Sequence, residues 1–431
     1  MQSSDTYCLM GIWKLVYEEN HRENTVIMGD KKKKVNAYTI ELMCVVLVVA
    51  MTNYHARLRS YNTTMLALSY QYGFKSRSLL GTIYHILNWI LPVDIMHYQY
   101  VLLFADVVTV LFVGFLIFLD RKLLELCEEK HMQTLMLVEM FFTVITTATF
   151  CAESNFLRVD IFMIWMSLVA TYLLLTEKNE WLVIPISALG VMFHQGYVFM
   201  YFNIILVLLL YKWYMTRKKK YMVYFVISFV LASSLFLWFE FFSRSNGAMI
   251  YDQVAKEATD LSYQGYHPTL LDHEILGIDL SDSEENFARM NRVQLPVFLI
   301  ATVPYLIILL YILGKCIRDG NTKMEKLKYF ILLCGAGTML PDFLLKVDYG
   351  RWIMAVVAYY SVILCALIVL RDKILCQNMD SVLGKIQGKP CYYFLLFAIL
   401  LFIPFKDVDI NLFAQHTAEW LDNQWFHYFT P

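Results

Sequence analysis

Long, almost uninterrupted apolar runs are the feature that most limits what this chain can fold into. A helix that crosses the hydrocarbon core of a bilayer needs about 20 apolar residues. Hydrophobic residues make up 58% of the chain and charged residues only 17%, which excludes a soluble fold because such a fold cannot bury so much apolar surface. The sequence therefore predicts an all-α polytopic membrane protein. The clear candidate spans are 38–54, 97–119, 132–151, 159–176, 221–243, 294–316, 327–345 and 352–370.

Three further apolar stretches decide the number of crossings. Residues 391–405 form a shorter candidate span that ends at Pro404. Residues 181–214 are too long for one span and predict two short helices that meet in a turn at Gly196. Residues 79–93 are interrupted by polar side chains and a proline, which favours an interfacial or re-entrant segment. The prediction is about eleven transmembrane helices.

The distribution of basic residues orients these helices. Lys31 to Lys34 precede the first span, and basic residues concentrate on the cytoplasmic side of membrane proteins. Eleven crossings also place Arg217 to Lys220 inside, whereas twelve would place them outside. The expected organisation is a cytoplasmic N-terminal segment 1–37, a first membrane part 38–243 of about seven spans, an external loop 244–293, a second membrane part 294–405 of about four spans, and an external tail 406–431.

The external loop is the largest polar insertion, with four basic and nine acidic side chains and a net charge of −5. Its pattern predicts a short helix near 248–261 and a turn at His267-Pro268. We predict a lid over an external cavity that contributes to acceptor choice. Tyr251, Tyr263 and Tyr266 would offer flat faces to sugar rings. A solvated connection without a role is the alternative.

Several function classes lack support. The chain has 36 basic and 37 acidic side chains, so its net charge implies no nucleic-acid partner. Its nine cysteines form no C-x-x-C pair, and no phosphate-binding glycine loop or G-x-S-x-G motif is present. The first predicted external region, 55–96, holds the single acid Asp94, so it offers no paired carboxylates for a divalent ion. We predict no cofactor and no metal.

Two acids, Asp106 and Glu139, lie in the middle of predicted spans. An ionisable group there costs about 2.5–3.5 kcal/mol on insertion scales, so each requires a partner or a role. The favoured interpretation is that they pair with each other or with Ser and Thr side chains in the bundle. A functional role is the alternative.

Positive side chains also gather at the predicted outer boundary, where they should be depleted. They come from separate turns of the chain, which favours a convergent anion site over individual contacts with lipid phosphates. The arginine guanidinium stays charged and can bind two phosphate oxygens at once. The charged residues in these turns are Arg57, Arg59, Arg158, His194, Arg244, Asp348 and Arg351.

The order of these residues carries a family resemblance. Arg59-Ser-Tyr-Asn-Thr, Asn155-Phe-Leu-Arg158, Phe193-His194-Gln195-Gly196 and Asp348-Tyr-Gly-Arg351-Trp follow one another along the chain. This series resembles the EpsG-like branch of Wzy-type bacterial polysaccharide polymerases, over roughly residues 38–370. The chain departs from the family pattern where Asn62-Thr63-Thr64 follows Arg59, where Val159 follows Arg158, and where Gly196 replaces a serine.

The resemblance implies a metal-independent glycosyltransferase in the bacterial plasma membrane. Such an enzyme joins undecaprenyl-diphosphate-linked oligosaccharide repeats, as donor and acceptor, into O-antigen, capsule or exopolysaccharide on the outer face. Membrane lipid, a flippase and a chain-length regulator would be its partners. The catalytic set would be Arg158 and Arg351, which stabilise the departing diphosphate, and His194 as general base. The substrate-binding set would be Arg57, Arg59, Arg244 and Asp348, of which Asp348 either orients Arg351 or accepts the proton.

Other functions remain open at this point. A glycosyltransferase of the GT-C-like class, which uses a lipid-phosphate sugar, would place an acid in its first external loop, and Asp94 is the candidate. A membrane acyltransferase would rest on His194 alone. A non-enzymatic transporter or flippase for a lipid-linked sugar is a different class, and so is a scaffold of the export machinery. Transporters often contain internal repeats, and the sequence has none at a fixed period.

Overall fold

A computed structural model describes residues 31–51, 57–151, 155–243, 248–276, 295–345 and 349–384. Over these ranges the chain is helical and contains no strand. The α-helices are α1 (Lys31–Met51), α2 (Ser60–Ala67), α3 (Leu79–Ile90), α4 (Tyr98–Leu126), α5 (Met132–Cys151), α6 (Asp160–Thr176), α7 (Val183–Phe193), α8 (Tyr197–Met200), α9 (Phe202–Thr216), α10 (Lys219–Phe241), α11 (Ala248–Asp260), α12 (Pro268–Leu271), α13 (Leu295–Asp319), α14 (Lys323–Cys334), α15 (Leu340–Leu345), α16 (Tyr349–Val369) and α17 (Lys373–Leu383).

Within the described ranges, five helical stretches are long and apolar enough to cross a membrane. They are Lys31–Met51, Tyr98–Leu126, Glu129–Cys151, Lys219–Phe241 and Gly350–Val369. Four shorter apolar helices accompany them, namely Leu79–Ile90, Asp160–Thr176, Glu180–Phe193 and Phe202–Thr216. The all-helical fold predicted from the sequence is thus confirmed, and several helices have the length and composition of membrane spans. The count of eleven crossings and the large external loop stay predictions. The predicted span 391–405 lies outside the described residues.

The core of the bundle forms around α16. Of its most apolar 18-residue window, 94% is buried, against 17% for the corresponding window of α10. Helix α16 packs against α4, α5, α6, α9 and α13. The exposed side of α10 carries large apolar side chains such as Val226, Phe229 and Val230, which suit contact with lipid tails better than contact with water. Burial therefore separates a central helix from helices with a lipid-compatible outer face.

The stretch 181–214 forms two short helices, as predicted. Helix α7 ends at Phe193 and α9 begins at Phe202, and the predicted turn residue Gly196 lies in the break between them. The stretch 79–93 forms α3, whose 12 residues are too few to cross a bilayer.

The predicted span 327–345 is broken, and the break differs from expectation. An interior proline kinks or breaks a helix, so the sequence alone predicts a break at Pro341. In the structure, α14 already ends at Cys334 and a 3₁₀ turn covers Gly335–Met339. Pro341 lies in the first turn of α15, where proline needs no backbone donor. Two buried tyrosines of α16 explain the position. The Tyr359 hydroxyl donates to the Leu332 carbonyl at 2.8 Å and the Tyr360 hydroxyl to the Leu333 carbonyl at 2.7 Å, and both bonds satisfy carbonyls at the end of α14.

We expect Gly335→Ala to destabilise this junction. A Cβ atom at Gly335 would lie 1.9 Å from the Tyr359 hydroxyl oxygen, which is buried and hydrogen-bonded. Overpacking of this kind costs about 1–3 kcal/mol. Gly337→Ala is the matched control, because its nearest neighbour would be 4.0 Å away. The thermal unfolding midpoint of the purified protein should fall for the first variant only, and equal midpoints would contradict the close contact.

Candidate anion-binding site

Two of the predicted arginines meet at one carboxylate. Asp160 is the first residue of α6, where a negative charge is favoured by the helix dipole. Its Oδ1 atom is 2.9 Å from Nε of Arg351, at the start of α16, and its Oδ2 atom is 3.4 Å from Nε of Arg158. All three side chains are largely buried. One acid thus fixes two guanidinium groups from distant parts of the chain and leaves the trio with a net positive charge.

A tyrosine extends this cluster toward the first predicted external region. The Tyr61 ring lies under the Arg158 guanidinium, whose Cζ atom is 5.5 Å from the ring centroid. The Tyr61 hydroxyl accepts a hydrogen bond from Nη1 of Arg77 at 3.3 Å, and the same nitrogen is 2.9 Å from Oε1 of Glu274. The amide of Asn62 also donates to the Phe156 carbonyl at 2.9 Å, which ties α2 to the turn before Arg158.

Lys75 is a buried basic side chain whose amine has no hydrogen-bond acceptor among the described residues. The residue is only 9% exposed, and within the described part of the chain its Nζ atom has no hydrogen-bond partner. Burial lowers the pKa of the Lys75 amine, and the more distant charge of Glu274 partly opposes this shift. An unsatisfied buried charge is strongly unfavourable, so the position is one that an anion would stabilise.

The loop that carries Lys75 is anchored to the break after α7. The hydroxyl of Ser76 makes a short hydrogen bond to Oε1 of Gln195, next to His194. Arg77 has a φ of 62°, so the loop holds a non-glycine residue in the left-handed region. Strain of this kind persists only when surrounding contacts impose it. The geometry keeps Lys75 and Arg77 on the same side of the bundle as Tyr61 and Arg158.

His194 occupies the C-terminal end of α7 and is buried. Its Nδ1 atom accepts a hydrogen bond from the Gly196 backbone N–H at 2.8 Å. In the neutral ring Nε2 then carries the proton, so this arrangement leaves neither nitrogen ready to accept one. The contact favours a helix-end role for His194 over the general-base role predicted from the sequence.

Of the four predicted substrate-binding residues, two lie within the described ranges. Arg57 is exposed and its Cζ atom lies 5.8 Å from the Tyr263 ring centroid. Arg59 is half-buried and caps α2, where its carbonyl accepts from the backbone of Asn62 at 3.0 Å. Arg244 and Asp348 lie outside the described residues.

Part of the predicted loop 244–293 covers this region. Its first helix, predicted near 248–261, is α11 (Ala248–Asp260). The His267 backbone N–H donates to the Thr64 hydroxyl at 2.9 Å, and the His267 ring meets Tyr61 edge-on, with 5.5 Å between centroids. The same segment contributes Glu274 to Arg77. The acidic stretch 279–285 lies outside the described residues.

Asp94, the acid of the alternative glycosyltransferase class, has a local role. Its Oδ1 atom accepts from the Met96 backbone N–H at 3.0 Å, and its side chain is 65% exposed. Both features are typical of a residue that stabilises a turn.

Sequence reasoning missed Asp160, Tyr61, Lys75 and Arg77. The signal for the last two was present, because basic side chains in a predicted external loop are as unexpected there as those at the span ends. Among the described residues no group of three or more His, Cys, Asp or Glu side chains could hold a metal ion. No family model, no curated protein and no solved structure matches this chain.

Proposed function

We propose that this chain is a membrane-embedded glycosyltransferase-type polymerase. It would join undecaprenyl-diphosphate-linked oligosaccharide repeats on the outer face of a bacterial plasma membrane, with eleven crossings and a cytoplasmic N-terminus. The observation that carries the proposal is the buried pair of arginines at Asp160, together with Lys75, whose amine has no acceptor among the described residues.

The charge of the cluster suits a diphosphate. Counted over the described residues, four basic side chains, Lys75, Arg77, Arg158 and Arg351, lie near two acids, Asp160 and Glu274. The excess of positive charge complements a diphosphate diester, which carries one negative charge on each phosphate. Buried cations of fixed geometry stabilise such an anion far better than mobile surface cations, because they need no reorganisation.

A site with this positive charge would support glycosyl transfer from a diphosphate donor. The bond between the donor's anomeric carbon and the diphosphate oxygen breaks, and the acceptor hydroxyl oxygen forms the new bond to that carbon. Arg158 and Arg351 stabilise the charge that grows on the leaving oxygen. The hydroxyl proton passes to the released diphosphate, so the step needs no basic His194 nitrogen.

The covering segment supports a role in acceptor binding. Tyr263 is 66% exposed, although Tyr98 and Arg57 lie beside its ring. The Tyr251 hydroxyl is already engaged, since it donates to Asp272 at 2.8 Å. Tyr263 is therefore the better sugar platform of these two predicted tyrosines.

The decisive experiment is polymerisation by purified protein in nanodiscs that contain the lipid-linked repeat unit. We expect products of several repeats together with release of undecaprenyl diphosphate. Consumption of a lipid-monophosphate sugar with no use of the diphosphate would favour the alternative glycosyltransferase class. Transfer of intact lipid-linked sugar across liposomes without new glycosidic bonds would favour a flippase and contradict the proposal.

A second experiment concerns the attachment of α11. The Tyr72 hydroxyl donates to Oε2 of Glu257 at 2.9 Å, and Nε2 of His85 is 2.6 Å from Oε1 of Glu257. Glu257→Ala removes the acceptor of the Tyr72 hydroxyl and the carboxylate beside His85, which costs about 1–3 kcal/mol and shifts the opening equilibrium of α11 by about tenfold or more. Hydrogen exchange over 248–260 should increase, and the polymer length distribution should change.

Asp252→Ala is the control for this variant, because Asp252 is an exposed acid on the same helix. Equal exchange in the two variants would show that Glu257 does not hold α11 in place.

A further inference from the structure

A second polar cluster lies inside the bundle, away from the anion site. Asp120 of α4 and Glu139 of α5 are 3% and 1% exposed. The Thr143 hydroxyl of α5 donates to Oδ2 of Asp120 at 2.7 Å. Asp106 lies 14 positions before Asp120 on α4, about 21 Å away along the helix axis. Thr143 lies one turn after Glu139 on α5, so its bond to Asp120 places Asp120, and not the predicted partner Asp106, next to Glu139.

Glu139 is an acid without a donor. Throughout the described ranges neither of its carboxyl oxygens has a hydrogen-bond partner, so the predicted pairing with Ser or Thr is wrong for Glu139. The hydroxyls of Thr146 and Thr147 are also buried and unpartnered within those ranges. Residues 139, 143, 146 and 147 follow the i, i+4, i+7, i+8 spacing that places them on one face of α5. This face presents carboxyl and hydroxyl oxygens to the interior.

Two carboxylates in such surroundings require a cation. An ionised carboxylate inside a membrane bundle is costly, and two that face each other repel, so a pair of this kind binds a proton or a metal cation. The other titratable groups that interact with the pair are the thiols of Cys127, just after α4, and Cys365 of α16, neither of which supplies positive charge. No basic side chain of the described residues lies within ion-pair distance of Asp120 or Glu139.

We propose that Asp120 and Glu139 form an exchangeable site for a small monovalent cation, H⁺ or Na⁺. Oxygen ligands are those that hard cations prefer. Glu139 lies 12 residues before the end of α5 at Cys151, about 18 Å along the helix axis, and α5 leads into the turn that carries Arg158. The cation site is therefore separate from the anion site, and its occupancy sets the electrostatic balance between α4 and α5. Buried acids of this type serve cation-coupled movement in membrane proteins.

Two measurements on the full-length protein in nanodiscs test the site. Infrared difference spectroscopy between about pH 9 and about pH 5 should show protonation of one buried carboxyl group, and Glu139→Gln should abolish that signal. Replacement of choline chloride by sodium chloride should raise the thermal unfolding midpoint if Na⁺ is the ligand, and the shift should be lost in Glu139→Gln. The exposed Asp252→Asn variant should retain the wild-type response in both measurements.

A carboxyl signal that titrates without any effect of sodium identifies a proton site, and a sodium-dependent midpoint identifies a sodium site. A Glu139 carboxyl that stays protonated across the whole pH range, with no effect of sodium, overturns the proposal. If Glu139→Gln does not fold, Asp120→Asn gives the same test. Loss of the facing acid removes a repulsion, so the carboxyl signal of Glu139 should appear at lower pH, or the sodium effect should be lost. An unchanged response in Asp120→Asn also overturns the proposal.

Discussion

Arg351→Lys and Arg158→Lys should each lower the polymerisation rate by about 100-fold. Removal of one positioned donor from a site that stabilises developing negative charge costs about 10²–10³ in rate. Lysine keeps the charge but loses the planar fork and the Nε contact by which Asp160 orients each arginine. The rate should be measured as release of undecaprenyl diphosphate per purified protein in nanodiscs.

Arg318→Lys provides the comparison, because the Arg318 side chain is 69% exposed and pairs with its neighbour Asp319 at 3.1 Å. We expect it to retain most of the wild-type rate. Full activity in both Arg158→Lys and Arg351→Lys would mean that these arginines have a structural or lipid-contacting role and do not bind the diphosphate.

Lys75→Met should stabilise the protein while it impairs substrate binding. Methionine keeps the unbranched shape but removes a buried charge without an acceptor, a change worth about 1–3 kcal/mol in the free energy of unfolding. A charge-assisted contact with phosphate is worth about 1.5–3 kcal/mol, so affinity for the lipid diphosphate should fall by about 10- to 100-fold. Thermal unfolding and binding of undecaprenyl diphosphate should be measured on the same preparation.

The pH dependence gives the same prediction an independent readout. Because burial lowers the pKa of Lys75 in the folded state, the unfolded chain binds more protons between the two pKa values. Stability should therefore rise with pH through that window, up to the ordinary lysine value near about 10.4. This contribution should be absent in Lys75→Met and present in Lys256→Met, where the lysine is exposed. Identical pH profiles for wild type and Lys75→Met would contradict an unpaired buried amine.

The helices could be predicted from the sequence because lipid imposes a simple requirement on length and polarity. The predicted run 132–151 coincides with α5, and 159–176 differs from α6 by a single residue. The junction after Cys334 could not be predicted in this way. Its position depends on two tyrosine hydroxyls of α16 that bind carbonyls of α14, and a contact between distant helices leaves no local pattern.

The candidate site was predictable only in part, for a similar reason. Arg158 and Arg351 stand out because positive charge is unusual at their predicted position. Asp160 does not stand out, since an acid in the first turn of a helix is common. Its role depends on Arg351, which is 191 positions away in the chain. The base role of His194 stays a prediction, and the bond that its Nδ1 atom accepts from the Gly196 backbone is a contact that the sequence does not reveal.

The long separation between Asp160 and Arg351 has a consequence for biosynthesis. A ribosome adds about 5–20 residues per second, so some 10 to 40 s pass between synthesis of the acid and synthesis of its second arginine, which lies 191 positions later. During that interval the faces of α5 and α6 that later enclose α16 have no partner. A nascent chain that stalls before residue 349 therefore leaves the surfaces of α5 and α6 that contact α16 uncovered. The central position of α16 therefore makes the packing of α5 and α6 depend on a helix that is synthesised much later.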